Sequence, residues 1–178
     1  MNNKGFTTIQ LFVFSFIAFF VVVFIGLGLF AFNLVYDGLA IDKEVGQVNL
    51  KNVTDLTFGK VNTAFTDYAD TLAVIVILGM ALTMILSGYF LGGNYPKLMI
   101  IIDIFILVFC FIASIYISST FDTLIHSTPY FDIYEENLPK SSAMILNLPI
   151  IITIIGALIM IFSYALIKQP QEINTYGY

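Results

Sequence analysis

The sequence predicts an all-α integral membrane protein with four transmembrane helices in a single domain. Of its 178 residues, 59% are hydrophobic and 11% are charged, whereas a soluble domain carries about 25% charged residues. A helix needs roughly 20 apolar residues to cross a bilayer core of about 30 Å. Four stretches meet this length, at about 7–35, 71–92, 98–118 and 142–167. The loops between them are too short for a soluble domain, so residues 1–178 are predicted to form one membrane domain.

The first stretch, residues 7–35, is predicted to be a retained transmembrane helix. A secretory signal has an apolar core of about 7–15 residues, and this stretch is about twice as long. In the loop that follows, residues 36–70, apolar residues recur mostly every three or four positions, as on one face of a helix. They are Val53, Leu56, Val61, Ala64, Phe65 and Tyr68. We therefore expect an amphipathic helix leading into the second span, after a weakly alternating piece at 45–50 that is compatible with extended structure.

Turn and cap residues mark the ends of the second and third spans. Gly46 and Gly59 are candidate breaks in the long loop. Asp67 or Asp70 is a candidate N-cap for the second span. The sequence GGNYPK predicts a tight turn at 93–97, so we expect the second and third spans to pack as a hairpin.

The fourth span is predicted to be capped at its start and kinked in its first third. It follows an acidic loop at 119–141, and Ser141 or Ser142 can cap it. Pro149 lacks a backbone N–H and kinks a helix. Asn147, two residues earlier, can satisfy the carbonyl groups that such a kink frees.

The lysines nearest to the span ends predict that both termini lie on the inner side of the membrane. In a four-pass topology these three lysines fall on one side. They are Lys4, Lys97 and Lys168. Because basic residues next to spans stay inside, the turn at 93–97 and the polar tail at 168–178 are predicted to be inside. The loops at 36–70 and 119–141 are then outside.

Asp103 is an ionisable residue within the third predicted span, about 8 Å from its inner end at 1.5 Å per residue. A carboxylate at this depth is costly, so Asp103 is either an ion or proton site or a carboxyl group hydrogen-bonded inside the bundle. Folding back the turn at 93–97 places Ser87 opposite Asp103. A proton path needs several acidic or histidine side chains in series, so the sequence favours a structural contact between Ser87 and Asp103.

Gly88 and Gly92 form a G-x-x-x-G pair at the inner end of the second span. Small residues at this spacing let two helix backbones approach closely in a membrane. We therefore expect both glycines to be packing residues. A helix of the same chain or a second copy of the protein is a candidate neighbour.

The sequence contains no candidate catalytic, cofactor-binding or metal-binding residues. Cys110 and His126 are the one cysteine and the one histidine, and such a pair cannot complete a zinc or haem site. No phosphate-binding loop or zinc-peptidase motif occurs. Because the net charge is −5, electrostatic binding of nucleic acid is not expected. We therefore expect a protein without enzymatic activity.

As a whole, the chain resembles small integral membrane proteins of lipid-containing viruses, in which a membrane lines the capsid. The shared features are basic residues that are all lysine, a first span rich in Phe and Ile, and the hairpin SGYFLGGNYPKLMIIIDIFIL. The resemblance implies a structural protein of the virion internal membrane that contacts lipid and tethers the bilayer to capsid proteins. A prokaryotic cell membrane is the alternative location. The alternative functions are an accessory subunit of a cellular membrane complex, and a holin or small channel lined by Asp103.

Overall fold

A computed structural model of the chain describes residues 7–45, 48–91, 97–127 and 130–165, about 91% of which are helical. The α-helices are α1 (Thr7–Leu39), α2 (Leu50–Thr54), α3 (Lys60–Leu91), α4 (Lys97–Ile125), α5 (Pro139–Leu146) and α6 (Leu148–Ala165). Two-residue strands, β1 (Glu44–Val45) and β2 (Val48–Asn49), pair antiparallel. Two π-helical turns cover Asp55–Gly59 and Ile133–Asn137.

The four long helices form a bundle in which α3 and α4 lie diagonally across from each other. α1 packs against both α3 and α4, and α6 packs against the same two helices from the other side. Over their described residues, α3 and α4 do not pack against each other along their length. The prediction that these two helices form a packed hairpin is therefore wrong, because α1 and α6 separate them.

The interior of the bundle is filled by residues that recur every three or four positions on each helix, as expected for one helix face. They are Leu11, Phe14, Ala18 and Val22 on α1, Ala73, Ile77, Ala81 and Met84 on α3, Cys110, Ser114, Ile117 and Phe121 on α4, and Ile152, Ile155 and Ile159 on α6. Several of these are small, which lets the helices approach closely. The buried hydroxyls of Ser15 and Ser114 donate to carbonyl oxygens of their own helices, so neither is left unsatisfied.

Three helical segments are long and apolar enough to cross a membrane, within the described residues. They are Ile9–Leu39, Leu50–Gly88 and Ile100–Ile125. The bent pair of α5 and α6 is a fourth if it counts as one span. Only 22% to 33% of the residues in the apolar window of each of the three segments are buried. Most side chains in these windows are therefore at least partly exposed.

The predicted outside loop at 36–70 is mostly helical. α1 continues to Leu39, the β1–β2 pair follows, and helical structure resumes at Leu50 and runs through the first π-helical turn into α3. The predicted helix and the predicted extended piece are both present. Gly46 lies outside the described residues. Gly59 does not interrupt the helix, because a π-helical turn accommodates it.

The prediction that Asp67 or Asp70 caps the second span is wrong. α3 begins at Lys60, so both carboxylates lie well inside it. The third predicted span is also longer than expected, because α4 extends to Ile125 and takes up part of the loop at 119–141.

The fourth predicted span is two helices that meet at Asn147 with a bend of 70°. α5 begins at Pro139, where a missing N–H costs nothing because the first helical N–H groups have no partner inside the helix. Ser141 and Ser142 lie within α5, so the prediction that one of them caps the helix is wrong.

Candidate functional site

Asp70 holds the start of α5 although it lies in the middle of α3. One carboxylate oxygen of Asp70 accepts the backbone N–H of Lys140 at 3.1 Å, and the other accepts that of Ser141 at 2.8 Å. These N–H groups belong to the first turn of α5, where no helical carbonyl can accept them. The side chain of Asp70 is 6% exposed. It thus acts as a capping residue supplied by another helix, at the positive end of the α5 dipole.

Tyr134 fixes the second π-helical turn to α1. Its ring is fully buried and lies edge-on to the ring of Phe121, with centroids 5.4 Å apart. Its hydroxyl donates to the carbonyl oxygen of Val23 at 3.1 Å. A Cβ atom added at Gly26 would overlap the Tyr134 ring, so glycine is required for this close approach. Burial, with a smaller contribution from Tyr130, raises the pKa of Tyr134 from 10.0 to about 12.

Two serine hydroxyls donate hydrogen bonds to backbone carbonyls next to these contacts. Ser142 Oγ donates to the carbonyl oxygen of Tyr134 at 3.0 Å. Ser118 Oγ of α4 donates to the carbonyl oxygen of Leu146 at 2.7 Å. The Leu146 carbonyl needs this donor because the N–H of Ile150 bonds to Asn147 instead, at the break between α5 and α6.

These contacts place Gly26, Asp70 and Ser118 on one level of the bundle. The opposite end is marked by Gln10 and Ser87, whose side-chain oxygens are 3.5 Å apart. Gln10 and Gly26 are about 24 Å apart along α1 at 1.5 Å per residue. Beyond Gly26, α1 continues for about 20 Å to Leu39.

We call the part at and beyond this level the head, residues 27–45, 48–70, 118–127 and 130–142. Its described surface carries nine exposed carboxylates and four exposed lysines. The carboxylates are Asp37, Asp42, Glu44, Asp55, Asp67, Asp122, Asp132, Glu135 and Glu136. Large apolar side chains are exposed between them. They are Leu27, Leu34, Val35, Leu39, Ile41, Val48, Val53, Leu56, Phe58, Val61, Phe65, Tyr68 and Phe131.

The segment that contains Thr54 and Asp55 is hydrogen-bonded to the end of α1. Thr54 Oγ1 donates to the carbonyl oxygen of Leu39 at 3.2 Å, which satisfies a carbonyl in the last turn of α1. Tyr36 donates its hydroxyl hydrogen to Asp55 at 2.7 Å. Asn49 caps α2 by accepting the N–H groups of the two residues Lys51 and Asn52. The head is therefore tied to α1 at several points.

Asp103 and Ser87 lie on α4 and α3, two helices that do not pack against each other along their described length. Asp103 is 9% exposed on α4. Ser87 donates to the carbonyl oxygen of Met84 at 2.8 Å and lies beside Gln10 of α1. The predicted contact between Ser87 and Asp103 assumed that α3 and α4 pack as neighbours, which over their described residues they do not.

Asn147 and Pro149 lie at the break between α5 and α6. The amide nitrogen of Asn147 donates to the carbonyl oxygen of Ala143 at 2.8 Å, and its backbone N–H donates to the same oxygen at 3.0 Å. The Asn147 side chain thus adds a second donor to a carbonyl that already accepts its own backbone N–H. That Asn147 serves a carbonyl freed by Pro149 stays a prediction. Pro149 is the second residue of α6, where its missing N–H is not needed.

Gly88 lies at the contact between α3 and α6. A Cβ atom added there would come within 3.2 Å of Ile159 Cγ2, which is tighter than ordinary contact. Gly92 lies outside the described residues. Gly156 is a second glycine of this kind, because an added Cβ would overlap the side chain of Leu107 on α4.

Sequence reasoning missed the roles of Asp70 and Tyr134. Asp70 lies at the start of an apolar stretch, where a residue that caps its own helix is expected, so its position does not point to a role in capping another helix. Tyr134 lies in a loop that composition marks as polar and exposed. Their partners are 70 to 111 residues away in the chain, so local patterns carry no signal for them.

Within the described residues, no group of three or more His, Cys, Asp or Glu side chains is arranged to hold a metal ion. No family model, curated protein or solved structure matches the chain.

Proposed function

We propose that this chain is a non-enzymatic structural protein of a larger membrane assembly, which spans a bilayer with its bundle and presents its head to a partner protein. The observation that carries this proposal is the mixed surface of the head. Exposed apolar side chains and exposed carboxylates are both present there, beyond the level of Asp70.

The dimensions of the bundle support its place in a bilayer. The distance of about 24 Å along α1 between Gln10 and Gly26 is close to the bilayer core of about 30 Å. Outward-facing side chains over this length are large and apolar, such as Phe105, which is 71% exposed. Such a surface is stable in lipid and costly in water.

The head extends too far for the same bilayer to cover it. α1 continues about 20 Å past Gly26, and α3 begins about 15 Å before Asp70. The interfacial region of a bilayer adds only about 5–8 Å on each side of the core. Apolar side chains such as Leu56 are therefore free to contact protein. The excess of carboxylates around them favours a partner with a basic surface.

The resemblance to membrane proteins of lipid-containing viruses favours the virion internal membrane as the location and the capsid as the source of the partner. In this proposal the bundle holds lipid and the head contacts capsid proteins. The contacts of Asp70 and Tyr134 keep the head in a fixed position, so binding a partner requires little ordering of the chain.

Site-specific photocrosslinking tests this function. Benzoylphenylalanine replaces Leu56 in the head or Phe105 in the bundle, which are 66% and 71% exposed. In intact particles or native membranes, we expect the label at position 56 to capture a protein and the label at position 105 to capture lipid. Capture of lipid alone at position 56 contradicts the proposal.

The identity of the captured protein separates the alternatives. A capsid protein supports the virion tether, whereas a cofactor-bearing subunit supports an accessory role in a cellular complex. A channel function predicts that Asp103→Asn changes conductance or lysis timing, and the structural proposal predicts that neither changes.

A further inference from the structure

A groove lies on the outside of the bundle between α1 and α3, at the end far from the head. Its volume is about 490 Å³, which is in the range of small-molecule sites, about 300–1,000 Å³. The groove is lined by Gln10, Val13, Phe14 and Ile17 of α1 and by Gly79, Met80, Thr83, Met84 and Ser87 of α3. It is therefore a site built from two helices in the part of the bundle with the membrane-spanning length.

The groove is polar at one end and apolar along the rest of its length. Gln10 and Ser87 form the polar end. Thr83 Oγ1 donates to the carbonyl oxygen of Gly79 at 2.8 Å, so its hydroxyl hydrogen is used within α3. The remaining side chains that line the groove are apolar. This distribution matches an amphiphile with one polar group at the end of a hydrocarbon chain.

The polar end offers an N–H donor. Ser87 donates to Met84 at 2.8 Å, and its 3.5 Å contact with the Gln10 carbonyl oxygen is at the outer limit of a hydrogen bond. Among the described residues, Gln10 Nε2 has no hydrogen-bond partner. Because a half-buried amide in apolar surroundings is stabilised by an acceptor, the groove favours a ligand that carries a carbonyl oxygen.

The position of Gln10 restricts the source of that carbonyl. Gln10 lies about one turn after the start of α1, and Ser87 lies about one turn before the end of α3. Both are about 24–26 Å from the level of Asp70, at the other edge of a bilayer core. The ester groups of glycerolipids lie at this depth. From Ser87 to Gly79 the groove runs about 12 Å toward the bilayer centre.

We propose that the groove binds one acyl chain of an ester-linked glycerolipid, and that the Gln10 amide donates to the ester carbonyl oxygen. The chain lies against Val13, Ile17 and Met80. A helix of a second copy is a poor fit, because a helix with its side chains is about 10–12 Å wide and α1 and α3 are in direct contact behind the groove. The inference requires membrane insertion and is independent of the partner of the head.

Gly79 provides a way to block the groove without disturbing the protein. A Cβ atom added at Gly79 meets nothing within 4 Å, so Gly79→Leu extends its side chain into the groove. Gly28 provides the control, because a Cβ added there also meets nothing within 4 Å and Gly28 does not line the groove. The two variants change the same residue type in the same way.

Lipid retention by the full chain in a mild detergent tests the proposal, with native mass spectrometry as the readout. The probes are palmitoyl-oleoyl-phosphatidylglycerol and its ether-linked analogue, which lacks the carbonyl groups. We expect the wild-type protein and Gly28→Leu to retain one ester lipid per chain, and Gly79→Leu to bind it roughly tenfold more weakly or not at all. The ether analogue should bind the wild-type protein roughly three- to tenfold more weakly, as expected for one lost hydrogen bond. Gln10→Leu should bind both lipids equally.

Several outcomes overturn the proposal. Equal retention by Gly79→Leu and the wild-type protein shows that the lipid sits elsewhere. If the wild-type protein binds ester and ether lipids equally, Gln10 does not donate to the ester carbonyl. This comparison uses only the wild-type protein, so it does not depend on whether a variant folds. If the protein retains detergent and no lipid, the groove is not a lipid site. A change of oligomeric state in Gly79→Leu, with lipid retention unchanged, assigns the groove to a second copy.

Discussion

The two ends of the bundle are held together by different kinds of contact. At the head, buried hydrogen bonds join distant parts of the chain, from Asp70 to the start of α5 and from Tyr134 to Val23. At the opposite end, the helices meet through small residues, with Gly88 against Ile159 and Gly156 against Leu107. In lipid there is little hydrophobic drive to bring helices together, so close packing of small residues is the expected solution.

The difference is explained by where the chain leaves its regular helices. The turn into α5 and the break at Asn147 expose backbone N–H and carbonyl groups, and a buried position requires a partner for each. Asp70 and Ser118 supply those partners from neighbouring helices. Within the residues that the structure describes, the helices at the other end run without such a break. Substitutions at the two ends should therefore change the free energy of unfolding by different amounts and for different physical reasons.

The largest effect is expected for Tyr134→Ala. Removing this fully buried ring leaves a cavity against Phe121 and frees the Val23 carbonyl, which should lower the free energy of unfolding by about 3–5 kcal/mol. Unfolding by sodium dodecyl sulfate measures the change. Tyr116→Ala is the control, because Tyr116 is 71% exposed, and it should change stability by less than about 0.5 kcal/mol. Similar losses for the two variants contradict the assigned role of Tyr134.

Asp70→Ala should lower the free energy of unfolding by about 2–3 kcal/mol, because the N–H groups of Lys140 and Ser141 lose a charged acceptor. Asp67→Ala, one turn away and exposed, should change it by less than about 0.5 kcal/mol. Hydrogen exchange at Lys140 and Ser141 should accelerate in the first variant alone. Unchanged exchange there would show that Asp70 does not cap α5.

At the other end, Gly156→Val should lower the free energy of unfolding by about 1–3 kcal/mol through overpacking against Leu107 and Leu11. Thermal unfolding in detergent measures it. Gly28→Val is the matched control, since a Cβ at Gly28 meets nothing within 4 Å. If both valine variants lose the same stability, helix propensity and not close packing explains the result.

High pH should weaken the head through Tyr134. Its pKa is raised from 10.0 to about 12 in the folded protein, so this stabilisation is complete below about pH 10 and is lost as the pH rises from 10 toward 12. Tyr134→Phe should cost about 1 kcal/mol at neutral pH and should lose less stability over that pH range than the wild-type protein. Melting temperatures of the two proteins from pH 8 to 12 provide the test. Parallel curves would exclude Tyr134 as the titrating group.

Ser87→Ala should change the free energy of unfolding the least, by less than about 0.5 kcal/mol. Its short hydrogen bond is to Met84 of the same helix, and the contact with Gln10 is 3.5 Å long. Thermal unfolding measures the change, with Ser118→Ala as the comparison at the head. A larger loss for Ser87→Ala than for Ser118→Ala would reverse the contrast between the two ends.

The sequence predicts the long helices well, because hydropathy depends on residues that are neighbours in the chain. It also locates the bend, since Asn147 and Pro149 act on their own helix ends. It does not predict that α3 and α4 lie diagonally, because a short turn is compatible with several arrangements of helices. The cap that Asp70 provides for α5 is equally hidden, since it joins residues 70 positions apart. For Gly88 the sequence predicts close packing but not the partner, Ile159.

The depth of single spin labels in the membrane shows whether the head lies outside the bilayer. Single cysteines replace Leu56 in the head or Phe105 in the bundle, in a Cys110→Ala background, and carry a nitroxide spin label. A water-soluble relaxation agent should reach the label at position 56, and relaxation by oxygen dissolved in the lipid should dominate at position 105. A lipid-like result at position 56 would contradict the claim that the head stands outside the bilayer.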